Sequence, residues 1–206
     1  MKLNWESHYI KFFSDKSGKA SEVAIRDVKK RLYILFNWIK DKNSKILDCG
    51  CHIGTFGIAF KQRGYNSIVG FDIDGKSLKC AKGCYDNVFK MECHNLAFKN
   101  NSFDFVIAMN VIEHLLNPEI FLQEVKKIIK NSGKFIFSTP NNSLFRKLIG
   151  RVGVDKEHKH FWTYRTFRIF LKRNGFRILD AKTVGKIPLL FGCETFITLC
   201  EKENHI

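Results

Sequence analysis

Short runs of apolar residues alternate with helical patterns along the chain from residue 46 onward. The apolar runs predict buried β-strands, and apolar residues spaced three or four positions apart between them predict helices. This alternation is typical of an α/β fold in which helices connect parallel strands by right-handed crossovers. The predicted strands are Ile46 to Cys49, Ser67 to Phe71, Val88 to Met91, Phe103 to Ala108, Gly133 to Ser138, Phe176 to Val184 and Thr195 to Glu201.

Cap and turn residues mark the ends of the predicted helices. The clearest helix begins with Asn117 as its cap and Pro118 at its first position, and it stops at residues 131–133. A later helix begins at the cap residue Thr163 and ends at Gly175. Further helices are predicted from Phe56 to Phe60 with an end at Gly64, around Leu78 and Ala81 with an end near Gly83, and from Leu144 to Ile149.

Length and composition favour a single domain over residues 1–206. The chain has 206 residues, 45% of them apolar, which suits one complete hydrophobic core. The first residues lack the apolar core of a signal peptide, and no run approaches the roughly 18 apolar residues of a membrane span. These features predict a cytoplasmic protein without a transmembrane segment.

The seven cysteines are predicted to be reduced thiols. Their number is odd, they are scattered through apolar segments, and no Cys-x-x-Cys pair of the zinc-binding kind occurs. We therefore expect neither disulfides nor a metal site among them.

The net charge of +15 and the pI near 9.6 favour an anionic partner, such as nucleic acid, a phosphorylated metabolite or an acidic membrane surface. The lysines are spread over the whole length, however, and no block of five like charges forms a basic arm. General sequence bias explains the charge equally well. Nucleic acid is accordingly the second hypothesis for the target.

The most informative segment, residues 45–54, is a short apolar strand that leads into a glycine-containing turn. Such a turn brings backbone N–H groups close to a ligand at the end of a parallel sheet. The dinucleotide-binding pattern requires glycine at the first, third and sixth positions. Counting from Gly50, this chain has His52 at the third and Thr55 at the sixth. The spacing therefore disfavours a dinucleotide.

Asp48, Gly50 and Gly54, together with Asp72 further on, resemble the first motif of class I S-adenosylmethionine-dependent methyltransferases, written Asp-x-Gly-x-Gly-x-Gly. The resemblance implies a Rossmann-like, doubly wound sheet of seven strands, mostly parallel, with one antiparallel strand in a C-terminal hairpin. It also divides the chain into a helical cover at 1–43, a cofactor-binding core at 44–139, and acceptor-side loops with the hairpin at 140–206. The cofactor-binding residues that it implies are Asp48, Gly50, Cys51, His52, Gly54, Asp72, Ile73, Glu92, Cys93 and Asn110.

His52 replaces the middle glycine of that motif. Histidine enters the left-handed backbone region more readily than most residues, so the turn could survive at a cost of about 1 kcal/mol. The imidazole would still crowd the cofactor side of the turn. One alternative is therefore a non-catalytic module that binds the cofactor without turnover.

Two acidic residues have specific roles by the resemblance. A carboxylate at Asp72, directly after the second strand, can accept both ribose hydroxyls of an adenosine. The alternative role for Asp72 is a helix cap, which Asp74 could provide equally well. Glu92 matches the acidic position that contacts the adenine in many methyltransferases, with Cys93 beside it.

The segment after the fourth strand contains Glu113 and His114, an ending that is similar to quinone-precursor O-methyltransferases, which carry a further acid at the place of Asn110. A carboxylate and an imidazole there could serve as base, hydrogen-bond donor or metal ligands. Without the further acid, no metal is predicted. The alternative is that both residues hold the loop against the following helix.

Residues 138–141, Ser-Thr-Pro-Asn, resemble a segment of methyltransferases that act on sugars and quinone precursors, and they are expected to face the acceptor. His158 and His160, near Asp155 and Glu157, could bind a divalent ion or deprotonate a hydroxyl. Surface histidines among lysines are the alternative. The candidate catalytic residues are His114, His160 and Glu113.

The sequence therefore predicts a class I methyltransferase (EC 2.1.1.-) that uses S-adenosylmethionine and methylates an oxygen of a small-molecule or lipid-like acceptor. RNA or protein methylation is the alternative that the charge supports. The aromatic residues Trp5, Tyr9, Phe12 and Phe13 belong either to a helix covering the sheet or to a lid over the cofactor. The apolar segment Ile187 to Phe191 is predicted to mediate homodimer or membrane contact.

Overall fold

The computed structural model describes residues 4–14, 21–142, 157–185 and 195–203. The chain divides into two compact units, residues 1–92 and residues 93–206. Among the described residues, no helix is long and apolar enough to cross a membrane.

The first unit combines three parallel strands with four helices in its described part. Its elements are α1 (Trp5–Phe13), α2 (Glu22–Trp38), β1 (Ile46–Cys49), α3 (Thr55–Gln62), β2 (Ile68–Asp72), α4 (Gly75–Ala81) and β3 (Asn87–Lys90). Strand β2 pairs with both β1 and β3, and all four residues of β1 are buried.

The second unit contains four strands, two α-helices and one short 3₁₀ helix in its described part. The elements are β4 (Phe103–Met109), the 3₁₀ helix (Ile112–His114), α5 (Pro118–Ile128), β5 (Ile129–Pro140), α6 (Tyr164–Arg173), β6 (Phe176–Val184) and β7 (Thr195–Lys202). Strands β4 and β5 are parallel, and β7 runs antiparallel to both β5 and β6. A cluster of phenylalanine rings from β5, α6 and β7 packs between the sheet and α6.

The seven strands are ordered β3-β2-β1-β4-β5-β7-β6. The order reverses at β1, as in a doubly wound sheet, and β7 is the one antiparallel strand among the described strands. The predicted fold class is therefore confirmed. The predicted strand ends differ from the observed ends by one or two residues at most, except at the start of β5.

The predicted boundary between α5 and β5 is wrong. The helix ends at Ile128, and the strand begins at Ile129 rather than at Gly133. Ile129 lies opposite Phe103, and the pairing then shifts register, so that Lys134 lies opposite Phe105. An added Cβ at Gly133 would lie 2.6 Å from the Ile129 side chain, which explains why glycine stands in this irregular strand.

Both predicted cap positions, Thr163 and Asn117, are observed, but only Thr163 makes a capping hydrogen bond. The Thr163 side chain accepts from the Thr166 backbone N–H, and the Thr166 side chain accepts in turn from the Thr163 N–H. Asn117 occupies the cap position of α5, but its side chain makes no capping hydrogen bond. The rigid proline at the first helical position starts this helix instead.

Three predictions fall outside the described residues. They are the basic helix from Leu144 to Ile149, the contribution of Asp155, and the apolar segment from Ile187 to Phe191. The six cysteines in the described part of the chain form no disulfide with one another.

Candidate functional site

In the turn after β1 the φ angle alternates in sign and is positive at every second residue. Gly50, His52 and Gly54 have φ angles of 68°, 47° and 91°. His52 therefore adopts the left-handed conformation that its position requires, as the sequence analysis expected for a tolerated substitution. The alternation folds the segment into a compact bend, in which the Gly54 N–H donates to the carbonyl of Cys51 at 2.9 Å.

Gly54 also lies in very close contact with the chain that follows α4. A Cβ added at Gly54 would lie 2.7 Å from the Cβ of Cys84 and 3.1 Å from the Cα of Ala81. Cys84 and Ala81 are themselves buried. Glycine is thus required at this position for both its conformation and its lack of a side chain.

Two backbone N–H groups, one of them from the turn, hold the Asp72 carboxylate next to this turn. One oxygen accepts from the His52 N–H at 2.8 Å and the other from the Asp74 N–H at 2.9 Å. A carboxylate has about four acceptor positions. Each oxygen therefore keeps capacity for a hydroxyl group.

The capping role left open for Asp72 belongs to Asp74. The Asp74 side chain accepts from the backbone N–H groups of Lys76 and Ser77 and from the Ser77 hydroxyl. These hydrogen bonds, the Ser77 hydroxyl first, lower the pKa of Asp74 to about 2. Ile73, which lies between the two aspartates in the sequence, is 61% exposed.

Helix α1 contacts the turn directly. The His8 Nε2 atom lies 2.7 Å from the Ile53 carbonyl oxygen, and the Phe13 ring stacks on His52 at a centroid distance of 5.6 Å. The His52 ring is exposed and lies against α1. The aromatic N-terminal segment is therefore placed on the glycine turn, where both a cover and a lid would need it.

Asp48 is a buried acid, and its hydrogen-bond partner is Tyr85, which no sequence pattern connects to it. Its side chain is 1% exposed and accepts a 2.5 Å hydrogen bond from the Tyr85 hydroxyl, which itself accepts from the Gly57 N–H. Burial raises the pKa of Asp48 to about 7, although the Tyr85 hydrogen bond opposes that shift. The pair links β1 to α3 and to the segment before β3.

We expect the Asp48 carboxyl to make the fold less stable as the pH rises. Its pKa is about 3.8 in an unfolded chain and about 7 in the folded one, so the folded state binds more protons between those values. The free energy of unfolding should therefore fall by up to about 4 kcal/mol between pH 4 and pH 8. Denaturant titrations of the parent chain and Asp48→Asn measure this, because the variant should lack that component.

Tyr85→Phe provides the control for this prediction. It keeps the carboxyl but removes a hydrogen bond that lowers the pKa of Asp48, so the fall in stability should extend to higher pH. If the free energy of unfolding depends on pH in the same way in the parent chain and in Asp48→Asn, the raised pKa of Asp48 is contradicted.

The remaining predicted cofactor residues are Glu92, Cys93 and Asn110. Glu92 is exposed after β3 in the first unit. Cys93 and Asn110 belong to the second unit. Asn110 has a φ angle of 57°, and its N–H and side chain both bond to Ser138 on β5, the latter by a Ser138 hydroxyl that donates to Oδ1 at 2.7 Å. These bonds fix the chain as it leaves β4.

A cluster of one carboxylate and two imidazoles follows β4. Glu113 and His114 come from the 3₁₀ helix, and His158 comes from the segment before α6. The nearest ligand atoms of the three side chains all lie within 4.8 Å of one another, and the two imidazole rings are 4.7 Å apart at 74°. Glu113 is 1% exposed. His158, which is not among the candidate catalytic residues named from the sequence, lies in the cluster.

His160 faces another direction. Its ring stacks on Trp162 at 4.9 Å and 9°, and its Nε2 atom lies 3.4 Å from the Leu116 carbonyl oxygen. Its backbone N–H instead helps to build the cluster, because it donates to the Glu113 carbonyl at 3.1 Å together with the Lys159 N–H at 2.8 Å. These two bonds hold the His158 segment over the 3₁₀ helix.

The segment 138–141 is used for internal hydrogen bonds. Ser138 and Thr139 are buried, and the buried Asn141 side chain accepts from the Tyr164 N–H at 3.3 Å at the start of α6. Its predicted contact with an acceptor therefore stays a prediction.

Comparison with known proteins shows which family this chain matches. A family model described as a methyltransferase domain matches residues 20–181, which is most of the chain. An uncharacterized protein of Methanocaldococcus jannaschii is 32% identical over 159 residues, which are 73% of this chain and 62% of that protein. A ubiquinone biosynthesis O-methyltransferase of Idiomarina loihiensis is 28% identical over 176 residues, 79% of this chain and 71% of that enzyme. The chain thus spans only part of the length of these relatives.

A solved structure shows the same fold. The magnesium protoporphyrin IX methyltransferase of Synechocystis PCC 6803, solved with bound SAH, has a TM-score of 0.73 to this chain at 16% identity. The match covers 96% of this chain and 94% of that chain.

Proposed function

Because this chain belongs to the family of S-adenosylmethionine-dependent methyltransferases, we propose that it transfers a methyl group to an oxygen atom of a small-molecule or lipid-like acceptor. Two features support the two halves of the proposal. The glycine turn with Asp72 supports the cofactor, and the polar cluster after β4 supports the acceptor. The O-methyltransferase relative at 28% identity favours a small acceptor over RNA or protein.

The observation that carries the proposal is the position of the Asp72 carboxylate at the turn after β1. Its two oxygens are held by the His52 and Asp74 N–H groups and keep acceptor capacity for a pair of ribose hydroxyls. The exposed Ile73 side chain offers an apolar surface for an adenine ring. The His52 ring lies against Phe13, so a side chain at this position is accommodated by α1. The residues present therefore fit an adenosyl cofactor.

S-adenosylmethionine, when bound, supplies a methyl group already activated on a sulfonium. The contribution of the chain is then to hold an acceptor in line, which is worth up to about 7 to 11 kcal/mol of the barrier when the orientation is ideal. A hydroxyl acceptor must also lose its proton. Of the two candidate bases, His114 lies beside a buried carboxylate, whereas His160 is stacked on Trp162. His114 is therefore the better candidate for receiving that proton.

Replacement of His114 by alanine tests the acceptor side. A positioned base contributes about 10²-fold to 10⁴-fold to a rate. His114→Ala should lower kcat by that factor while the cofactor Kd stays within about twofold, and His160→Ala should cost less than about tenfold. The measurement is methyl transfer from labelled cofactor, with cofactor affinity from calorimetry. A larger loss of kcat in His160→Ala than in His114→Ala would contradict the choice of His114 as the base.

An acceptor screen tests the function as a whole. The purified chain is incubated with S-adenosylmethionine and with pools of hydroxylated small molecules and lipids, and the demethylated cofactor is measured by mass spectrometry. A product whose added methyl is on oxygen supports the proposal. Turnover with RNA or protein pools alone would overturn the acceptor class, and cofactor binding without turnover in any pool would favour a non-catalytic binding module.

A further inference from the structure

We infer that the buried Asp48–Tyr85 pair couples binding of the cationic cofactor to the release of a proton, with Tyr85 as the residue that positions the Asp48 carboxyl. The inference rests on the proposed function, because it concerns the same cofactor. Its starting point is a buried acid that methyl transfer to the acceptor does not use. Both residues lie in the first unit and are among the described residues.

The Tyr85 hydroxyl joins the two ends of the glycine turn. It donates to Oδ2 of Asp48 at 2.5 Å and accepts from the Gly57 N–H at 3.2 Å. Asp48 lies on β1 just before Gly50, and Gly57 lies in the first turn of α3 just after Gly54. The shorter distance suits a hydroxyl that donates to an ionised carboxylate. The contact between Tyr85 and Asp48 therefore depends on the charge of the carboxyl.

Close packing fixes the Tyr85 ring. A Cβ added at Gly57 would lie 2.5 Å from Cζ of the ring, and a Cβ added at Gly70 would lie 3.1 Å from Cε2. The next residue, Asp86, anchors the same segment, because its carboxylate accepts from the Ile68 N–H at 2.7 Å. The ring is thus held between α3 and β2, and its hydroxyl stays at the carboxyl.

The Asp48 carboxyl changes its charge near neutral pH. Burial raises its pKa to about 7, the Tyr85 hydrogen bond opposes that shift, and the Asp72 carboxylate adds to it. Burial also raises the pKa of the neighbouring Cys51 and Cys84 thiols, the latter to about 11, and the pKa of the Tyr85 hydroxyl. The thiols and the phenol therefore stay neutral between pH 6 and pH 8, where Asp48 ionises.

A positive charge that arrives at the turn favours the ionised form of Asp48. S-adenosylmethionine carries its positive charge on the sulfonium. Its binding should therefore move the proton of the Asp48 carboxyl to solvent. If the cofactor binds the ionised form, the Kd follows the ionised fraction, which rises from about one tenth at pH 6 to about nine tenths at pH 8. The Kd should accordingly fall about tenfold over that range.

Tyr85→Phe tests the positioning role, because it keeps the ring and its packing but removes the hydroxyl. The pKa of Asp48 then rises further, since a hydrogen bond to the ionised form is lost. The Kd for the cofactor should be weaker by about fivefold or more at pH 7. The loss should shrink steadily as the pH is raised toward 9. A purely structural defect would instead weaken binding equally at every pH.

Tyr65→Phe is the matched control. Tyr65 is another buried tyrosine of the first unit, and its hydroxyl donates to the Ile39 carbonyl instead of to a carboxyl. This variant should keep the Kd of the parent chain within about twofold at each pH. Asp48→Asn should show only the pH dependence that the cofactor's own amino group brings.

The experiment is calorimetry of the full chain with S-adenosylmethionine from pH 6 to pH 9, in two buffers of different ionisation enthalpy. The difference between the buffers counts the protons released. At pH 7 the parent chain should release about half a proton per ligand more than Asp48→Asn. Urea denaturation at each pH shows that the variants are folded, and Tyr85→Phe alone decides the outcome if Asp48→Asn does not fold.

The outcomes separate the coupling from the proposed function. The same pH dependence of the Kd in the parent chain and Tyr85→Phe would overturn the coupling and leave the proposed function standing. A loss of affinity in Tyr85→Phe that is equal at every pH would do the same. No binding of the cofactor by the parent chain at any pH would overturn the proposed function and the coupling together.

Discussion

Gly54→Ala is expected to destabilise the fold by about 2 to 5 kcal/mol and to abolish cofactor binding. The φ angle of 91° costs an alanine about 1 to 2 kcal/mol. The new Cβ would also lie 2.7 Å from the Cβ of Cys84, and such overpacking costs about 1 to 3 kcal/mol more. Either the turn or the segment after α4 must then move. Urea denaturation measures the first effect and calorimetry with cofactor the second.

Gly83→Ala is the matched control for Gly54→Ala. Gly83 has a similar φ angle of 88°, but no atom lies within 4 Å of an added Cβ. Gly83→Ala should therefore lose only the stability that the positive φ angle costs an alanine, about 1 to 2 kcal/mol, and it should keep its cofactor affinity. Equal losses of stability in the two variants would show that the close contact at Gly54 has no energetic consequence.

Asp72→Asn is expected to weaken cofactor binding by about 100-fold or more, which corresponds to about 3 kcal/mol. Hydrogen bonds to a charged group are worth about 1.5 to 3 kcal/mol each, and the carboxylate is expected to accept two from the ribose. An amide keeps the shape of the side chain but loses the charge and one acceptor. The Kd for S-adenosylmethionine, measured by calorimetry, reports the effect.

Asp74→Ala separates this effect from a general effect of removing an acid in the same loop. Asp74 lies two residues away and caps α4 through Lys76 and Ser77. Its loss should lower the stability slightly, because a helix cap is removed, and leave the Kd for the cofactor within about twofold. If Asp74→Ala loses as much cofactor affinity as Asp72→Asn, the proposal that Asp72 itself binds the cofactor is contradicted.

The sheet was predictable because its signals are local. Most strands are short apolar runs bounded by turn residues, and Gly64, Gly83 and Gly175 follow the ends of α3, α4 and α6. The boundary before β5 was missed because Ile128 and Ile129 are both apolar. A continuous helical pattern does not reveal that the second of them pairs with Phe103 in the sheet.

The site was predictable in its local part only. The glycine turn and Asp72 are read from spacing along the chain, and the structure brings them into contact through the His52 N–H. The Asp48 partner Tyr85 lies 37 residues further on, and no pattern connects the two. His158 was not chosen as a candidate from the sequence, because its approach to His114 depends on two backbone hydrogen bonds to Glu113.

Calorimetric titration of the purified chain with S-adenosylmethionine tests the central claim most directly, namely that the turn after β1 and the Asp72 carboxylate bind an adenosyl cofactor. The account predicts saturable binding of one ligand per chain, retained in Asp74→Ala and weakened by about 100-fold in Asp72→Asn. No detectable heat at millimolar ligand, or equal affinity in the parent chain and Asp72→Asn, would contradict it.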